Sequence, residues 1–470
     1  MLVVISDLHF VDETAGKHNL PYGAFEDVFL SDIASIAKDK GVKEIKILLL
    51  GDIVDLIRSE QWFDVAPADR PWGTNGLKDI PNPQTGSPTE RQCIKILGEV
   101  QNKNQETFKL FREFKSRLKE KYKLDTNVEI IYTPGNHDRL CNLYPSVRDE
   151  IKNILGLTVN TNTANGYPNR DWKYRYDFID ESYGVYARHG HQFDEWNYAV
   201  GSEDEAIRSL EVSIGDLMTT EFAVKFPYIL NSLRGQYSDI DDNTFKELVE
   251  HVKDIDNIRP LKRVIDWIDY RIKKESDRRV RDALDKAFKQ VAKEFFDIDF
   301  VKNSRTYRNM WLRISSNSSV SWLTKLAIYI GGAENLLPIL MGLSDEPPDP
   351  GKSPLAKAAY DESVWRNNKE IQFVLYGHTH APLQIPLDNI NGKEVIYLNT
   401  GTWRNRITKT IELDRPPDRS IRGQAPDFVE LKTMTYAIFY RRDEDMGGKQ
   451  PNTVSFDVWT GAKKKYYKER

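Results

Sequence analysis

The run Ile47-Leu48-Leu49-Leu50, followed at once by Gly51-Asp52-Ile53-Val54-Asp55, constrains this chain more than any other stretch. Four large aliphatic residues without a polar break belong to a strand covered on both faces, as in the parallel sheets of α/β proteins. Glycine lets the backbone turn sharply at the strand's end and brings Asp52 to the rim of the sheet, where such folds bind ligands. A carboxylate fixed there with no basic neighbour calls for a cation. Gly-Asp taken alone is equally compatible with a loop cap, so the rest of the chain decides.

The same pattern recurs. Leu2 to Ile5 reads as a strand entering Ser6-Asp7-Leu8-His9. In extended chain Asp7 and His9 project to one side, so one ion can take an oxygen and an imidazole from them. Helical periodicity over Phe25 to Lys38 leads to the strand at Ile45 to Leu50, an α/β unit with a parallel strand pair. Val128 to Tyr132 runs into Pro134-Gly135-Asn136-His137-Asp138, and a hairpin of Tyr174 to Phe178 with Gly184 to Arg188 delivers His189-Gly190-His191. Ile371 to Tyr376 enters Gly377-His378-Thr379-His380, and Glu394 to Leu398 precedes Asn399-Thr400-Gly401-Thr402-Trp403. Phe428 to Tyr440 and Val454 to Trp459 alternate as strands completing a sheet, before a frayed basic tail from Lys463 to Arg470.

Other stretches have a different texture. Asp64 to Pro88, rich in Pro, Gly, Asn and Asp, reads as a long loop at the active-site edge. Thr89 to Tyr122 reads as one long charged helix, with Thr89-Glu90-Arg91-Gln92 as its capping box. From Glu203 to Val320 helical periodicity dominates, a mainly helical insertion with Pro347 to Pro354 as its return linker. Arg259 to Glu294 holds twelve Lys and Arg against seven Asp and Glu, which suits a solvated helix surface first and an anionic-substrate contact second. The apolar segment Trp322 to Leu343 reads as packing within the insertion, with a lid or peripheral membrane contact as the alternative. At 470 residues the chain exceeds one compact core. The expected division is a catalytic core in two parts, 1–200 and 365–470, with the insertion at 201–364.

A net charge of -4 excludes a general attraction to nucleic acid or anionic membrane. Two cysteines, Cys93 and Cys141, are too few for a disulfide framework, and Met1 leads directly into a strand with no leader pattern. No stretch is long and apolar enough to span a bilayer. A cytoplasmic protein is the expectation.

Of eight histidines, six (His9, His137, His189, His191, His378 and His380) stand at the ends of predicted strands; only His18 and His251 fall elsewhere. With Asp7, Asp52 and Asn136 they form a nitrogen and oxygen donor set without thiolate, suited to manganese, iron or zinc. The ligands are too many for one tetrahedral ion. Two adjacent ions sharing a carboxylate accommodate most of them.

Asp7-x-His9, Gly51-Asp52-x-x-Asp55, Gly135-Asn136-His137-Asp138, His189-Gly190-His191 and Gly377-His378-Thr379-His380 together resemble, in order, the motifs of calcineurin-like metallophosphoesterases. The resemblance covers roughly the two core parts and omits the insertion. It implies a four-layer α/β/β/α sandwich and a dinuclear centre, with manganese the first choice in vitro. One metal site resembles Asp7, His9, Asp52 and His380, and the other Asp52, Asn136, His189 and His378. By the same resemblance His137 is the catalytic histidine, oriented by Asp55 and assisted by Asp138. His191, Arg139, Arg58 and Trp403 are candidate substrate contacts. The implied activity is hydrolysis of a phosphate mono- or diester, with a hydroxide bridging the metals as nucleophile. Leu56 after Asp55, and Asp138 where phosphoprotein phosphatases carry Glu, point away from that branch. They point toward bacterial-type branches that include nucleases, nucleotide phosphodiesterases and sugar-lipid pyrophosphohydrolases. The substrate is therefore a phosphorylated small molecule or a nucleic acid, or a lipid-linked pyrophosphate. An inactive scaffold of the same fold is the competing class.

Overall fold

The computed structural model describes residues 1–158, 173–199, 201–259, 275–303, 353–390, 393–409, 428–444 and 454–465, with scattered positions between 264 and 271. The strands are β1 (Leu2–Ile5), β2 (Glu44–Leu50), β3 (Asn127–Thr133), β4 (Asp177–Asp180), β5 (Val185–Arg188), β6 (Phe373–Tyr376), β7 (Leu383–Ile390), β8 (Lys393–Asn399), β9 (Asn405–Lys409), β10 (Phe428–Tyr440) and β11 (Ser455–Lys465). They form two mixed sheets, one ordered β11-β10-β1-β2-β3 with β9 on β10, the other β4-β5-β6-β8-β7. β1, β2 and β3 run parallel, as do β5, β6 and β8.

Side-chain alternation explains why these strands read as unbroken apolar runs. Val3, Ile5, Ile47 and Leu49 turn one way, onto Phe25, Phe29, Leu97, Phe111 and Ile151. Leu2, Val4, Leu48 and Leu50 turn the other way, into a cluster with Val185, Ala187, Phe373, Leu375 and Leu398 of the second sheet. The opposite face of that sheet, with Tyr186, Val374, Tyr376 and Tyr397, packs on Leu355, Ala359 and Trp365. The helices Pro354–Asp361 and Ser363–Asn367 thus sit on the second sheet, although the sequence groups most of them with the insertion.

The helices between Glu205 and Asn303 have an apolar cluster of their own, built on Phe222, Phe226, Trp267, Phe288 and Phe295. Trp72 of the long loop, Ile407 and Phe428 also enter it. Buried Glu221 stitches that loop to the insertion, accepting from Arg70 NH1 (2.5 Å) and Trp72 Nε1 (3.0 Å).

The charged helix expected from Thr89 to Tyr122 is three helices, Pro88–Lys103, Gln105–Arg112 and Phe114–Tyr122. The first break is at Asn104, whose buried amide donates to Val100 O (2.9 Å) and Val11 O (3.3 Å). The cap is Ser87, whose hydroxyl accepts from Glu90 N at 3.1 Å with Pro88 next in line, so the expected capping box lies two residues late. β11 runs on to Lys465, through the start of the expected tail. Trp322 to Leu343 and most of Pro347 to Pro354 lie outside the described residues. Among the described residues no helix is long and apolar enough to cross a membrane, and Cys93 and Cys141 are buried free thiols.

Candidate metal centre

Every motif stands at the carboxyl end of a parallel strand, β1 and β2 side by side. Their pairing continues past the strand ends, Asp7 N donating to Gly51 O (3.0 Å) and His9 N to Asp52 O (2.9 Å). The chain then has to turn hard. Asp7, His9, Asp52, His378 and His380 all adopt left-handed backbone, with φ of 53°, 46°, 53°, 71° and 62°. Such geometry costs of order 1 kcal/mol per non-glycine residue and gathers at functional sites. Gly51 (φ 78°) has His189 packed where a Cβ would stand.

One donor group comprises Asp7, His9 and His380, and another Asp52, His189 and His378. In the first, His380 Nε2 lies 3.3 Å from Asp7 Oδ1 and 3.1 Å from His9 Nε2. Asp52 joins the groups: its Oδ2 is 3.7 Å from His9 Nε2 and 3.2 Å from His189 Nε2. Donors about 2.0–2.2 Å from one ion stand about 3–4 Å apart, so these spacings fit cation ligation. The other oxygen of each carboxylate is occupied. Asp52 Oδ1 accepts from His137 N (2.9 Å), and Asp7 Oδ2 from Ser6 Oγ (2.5 Å) and His378 N (3.2 Å).

The remaining atoms test whether a metal pair suits the site. Asp7 Oδ1, Asn136 Oδ1 and His189 Nε2 are buried without a hydrogen-bond partner. Leaving each unmet costs about 1–3 kcal/mol, and all three are donors that divalent ions accept. Neighbours prepare them for that role. His189 Nδ1 lies 3.1 Å from Leu50 O, which puts its proton on Nδ1 and leaves Nε2 a lone pair; His9 Nδ1 faces both Asp55 Oδ2 (3.0 Å) and Arg58 NH1 (2.9 Å), leaving its Nε2 toward the donor group. Asn136 Nδ2 lies 3.4 Å from Asn197 Oδ1, so its carbonyl is the end left over. His378 Nε2 lies 3.0 Å from Asp194 Oδ2, and that carboxylate accepts from Asn197 Nδ2 at 2.8 Å. Asp194 and Asn197 are outer partners that the sequence reading missed; the only local signal was their nearness to His191.

Electrostatics point the same way. Burial, together with the charge of Asp52, pushes the Asp7 carboxyl up to about 6. Burial opposes ionisation of Asp52 too, but the imidazoles of His189 and His137 hold it well below the carboxylate range. His189 is raised to about 9, burial being outweighed by Asp52 and Asp7. Burial and the adjacent Arg58 push His9 down to about 3. Beyond their hydrogen bonds, the carboxylates are thus stabilised by drawing charge onto imidazoles, which a bound cation would relieve.

His137 Nδ1 lies 2.9 Å from Asp55 Oδ2. Burial disfavours its charge, yet Asp55 and Asp52 raise its pKa above the ordinary histidine value. His9, Asp55 and His137 also form a close trio, but Arg58 NH1 stands 2.5 Å from Asp55 Oδ2, and a further cation would face that guanidinium. Asp138, expected to assist His137, meets backbone instead. Its carboxylate accepts from Ile53 N, Val54 N (2.8 Å) and Gly135 N (2.9 Å), tying the two ligand loops together.

The four candidate substrate contacts are placed differently from one another. His191 is buried against His189, His378 and Tyr198. Arg58 is buried behind Asp55. Arg139 holds Asp216 (3.1 Å) and Leu210 O (3.1 Å), joining core to insertion. Trp403 packs on Phe25 and Phe29 and donates to Thr435 O at 2.7 Å, a core residue. His18, outside every motif, is buried beside Asn257, its Nδ1 3.2 Å from that side chain. No family model matches the chain, and no curated protein matches it.

Proposed function

We propose that this chain is a dinuclear metal-dependent phosphoesterase of the calcineurin-like kind, hydrolysing a phosphate mono- or diester. The observation that carries the reading is the Asp52 carboxylate: one oxygen is pinned by His137 N, the other is shared between the His9 and His189 donor groups. The apolar clusters on both faces of both sheets support the four-layer α/β/β/α order that goes with it. The first cation site would use Asp7, His9, Asp52 and His380, the second Asp52, Asn136, His189 and His378. When bound, two such cations supply Lewis acidity, neutralising phosphate charge and acidifying water. The chain's own residues do the rest. Asp55 faces His137 Nδ1 and favours the imidazolium, which leaves Nε2–H to protonate the departing oxygen. Arg58, 2.5 Å from Asp55 Oδ2, helps hold Asp55 ionised against its burial.

The test is turnover of aryl phosphate mono- and diesters with added manganese. Asp52→Asn and His137→Ala should each abolish most of it, with circular dichroism unchanged. Activity that survives both substitutions and a chelator removes the proposal.

A further inference from the structure

We infer that Asp256, supplied by the helical insertion, is a positioning residue for His137, acting through Arg58 and Asp55; this rests on the phosphoesterase reading above. Asp256 closes the turn Lys253–Asn257, and the next residues dock that turn on the core. Ile258 bridges to Ile407 of β9, and Arg259 N donates to Ile407 O at 2.9 Å. Docking leaves Asp256 buried, where a lone carboxylate is costly unless cations meet it. Two do: Asp256 Oδ2 lies 2.6 Å from Arg58 Nε and 2.9 Å from Arg404 NH2.

Arg58 is the link. Its guanidinium spans two carboxylates, Nε on Asp256 and NH1 2.5 Å from Asp55 Oδ2. That same Asp55 oxygen lies 2.9 Å from His137 Nδ1 and 3.0 Å from His9 Nδ1. A buried guanidinium wedged between two carboxylates has little room to turn, so Asp256 sets where Arg58 rests and thereby where Asp55 sits. Arg58 is also 2.9 Å from His9 Nδ1. Were Asp256 uncharged, Arg58 would lose its outer anchor, and its charge would be left to Asp55 alone. Asp55 would then be free to swing with Arg58 away from His137 Nδ1, which it now meets at 2.9 Å. The insertion is in this sense part of the proton-donating apparatus, although its described residues provide no candidate metal ligand.

The experiment uses the full chain reconstituted with manganese, assayed on 4-nitrophenyl phosphate and on phenyl phosphate, whose leaving group is poorer. Asp256→Asn should lower kcat about ten- to a hundredfold on phenyl phosphate, with a smaller loss on the nitrophenyl ester and KM nearly unchanged. Metal content should stay at the wild-type level. Arg58→Lys, which keeps the charge but cannot span both carboxylates, should give the same signature and carries the test if Asp256→Asn does not fold. Combined with Asp55→Asn, either substitution should add little to the loss from Asp55→Asn alone. Equal losses on the two esters, an unchanged kcat, or additive losses would overturn the inference while leaving the phosphoesterase reading standing. Where neither monoester is turned over, methyl 4-nitrophenyl phosphate and methyl phenyl phosphate carry the same comparison; a wild-type enzyme that hydrolyses none of the four with metal present overturns the reading beneath it.

Discussion

Gly135→Ala is a single methyl group placed where the two halves of the proposed metal pair meet. A Cβ on Gly135 would stand 2.2 Å from Asp52 Oδ1, 2.6 Å from Asp52 N and 2.8 Å from His189 Cδ2, against 3.4 Å or more for ordinary contact. None of these neighbours is free to retreat. Asp52 N is backbone, Asp52 Oδ1 is held by His137 N at 2.9 Å, and His189 is buried with its ring fixed on Leu50 O. Relief therefore needs one ligand loop to move by about 1 Å, beyond the ~0.5 Å within which such constellations work. Overpacking of this kind costs about 1–3 kcal/mol in stability. Shifting Asp52 and His189 together should weaken manganese binding at least as much as losing an outer partner does, about ten- to a hundredfold. Equilibrium dialysis with elemental analysis measures the binding, and urea unfolding the stability. Wild-type affinity for two manganese ions in Gly135→Ala would refute the geometry.

Glu221→Ala should cost about 3 kcal/mol in urea unfolding, because it takes the buried carboxylate away from Arg70 and Trp72 at the seam between loop and insertion; a loss under 1 kcal/mol contradicts that stitching. His18 is pushed down to about 3 by burial and by Arg404, against about 6.5 unfolded. Below about pH 6.5 the unfolded chain therefore takes up a proton that the folded chain refuses, and stability falls as pH falls, by up to about 1.4 kcal/mol per unit. His18→Gln should flatten the pH dependence of unfolding between about pH 6 and 4; parallel curves for the two proteins would contradict a neutral buried His18.

The candidate ligands were legible in the sequence; what orients them was not. A strand buried on both faces can place polar residues only at its end, so β1, β2, β3 and β6 announce Asp7, Asp52, Asn136 and His378 by where their apolar runs stop. Their outer partners carry no such marker. Asp194 matters because it meets His378, and Asp256 because it meets Arg58, and both pairings exist only once distant segments have docked. β9, Asn-Arg-Ile-Thr-Lys, buries only Ile407 and so lacks the pattern of a strand. Trp403 follows a motif-bearing strand end, where a packed Trp is the first reading and a substrate contact the second; the Phe25 and Phe29 rings that bury it come from the first helical segment, far away in sequence. The break at Asn104 depends on Val11 O, equally remote.

Anomalous scattering from manganese-soaked crystals tests the centre itself. The account predicts two peaks, both about 2.2 Å from Asp52 Oδ2, one also held by His380 and the other by His189. A single peak, none, or a pair that leaves Asp52 outside coordinating distance of either ion would contradict it.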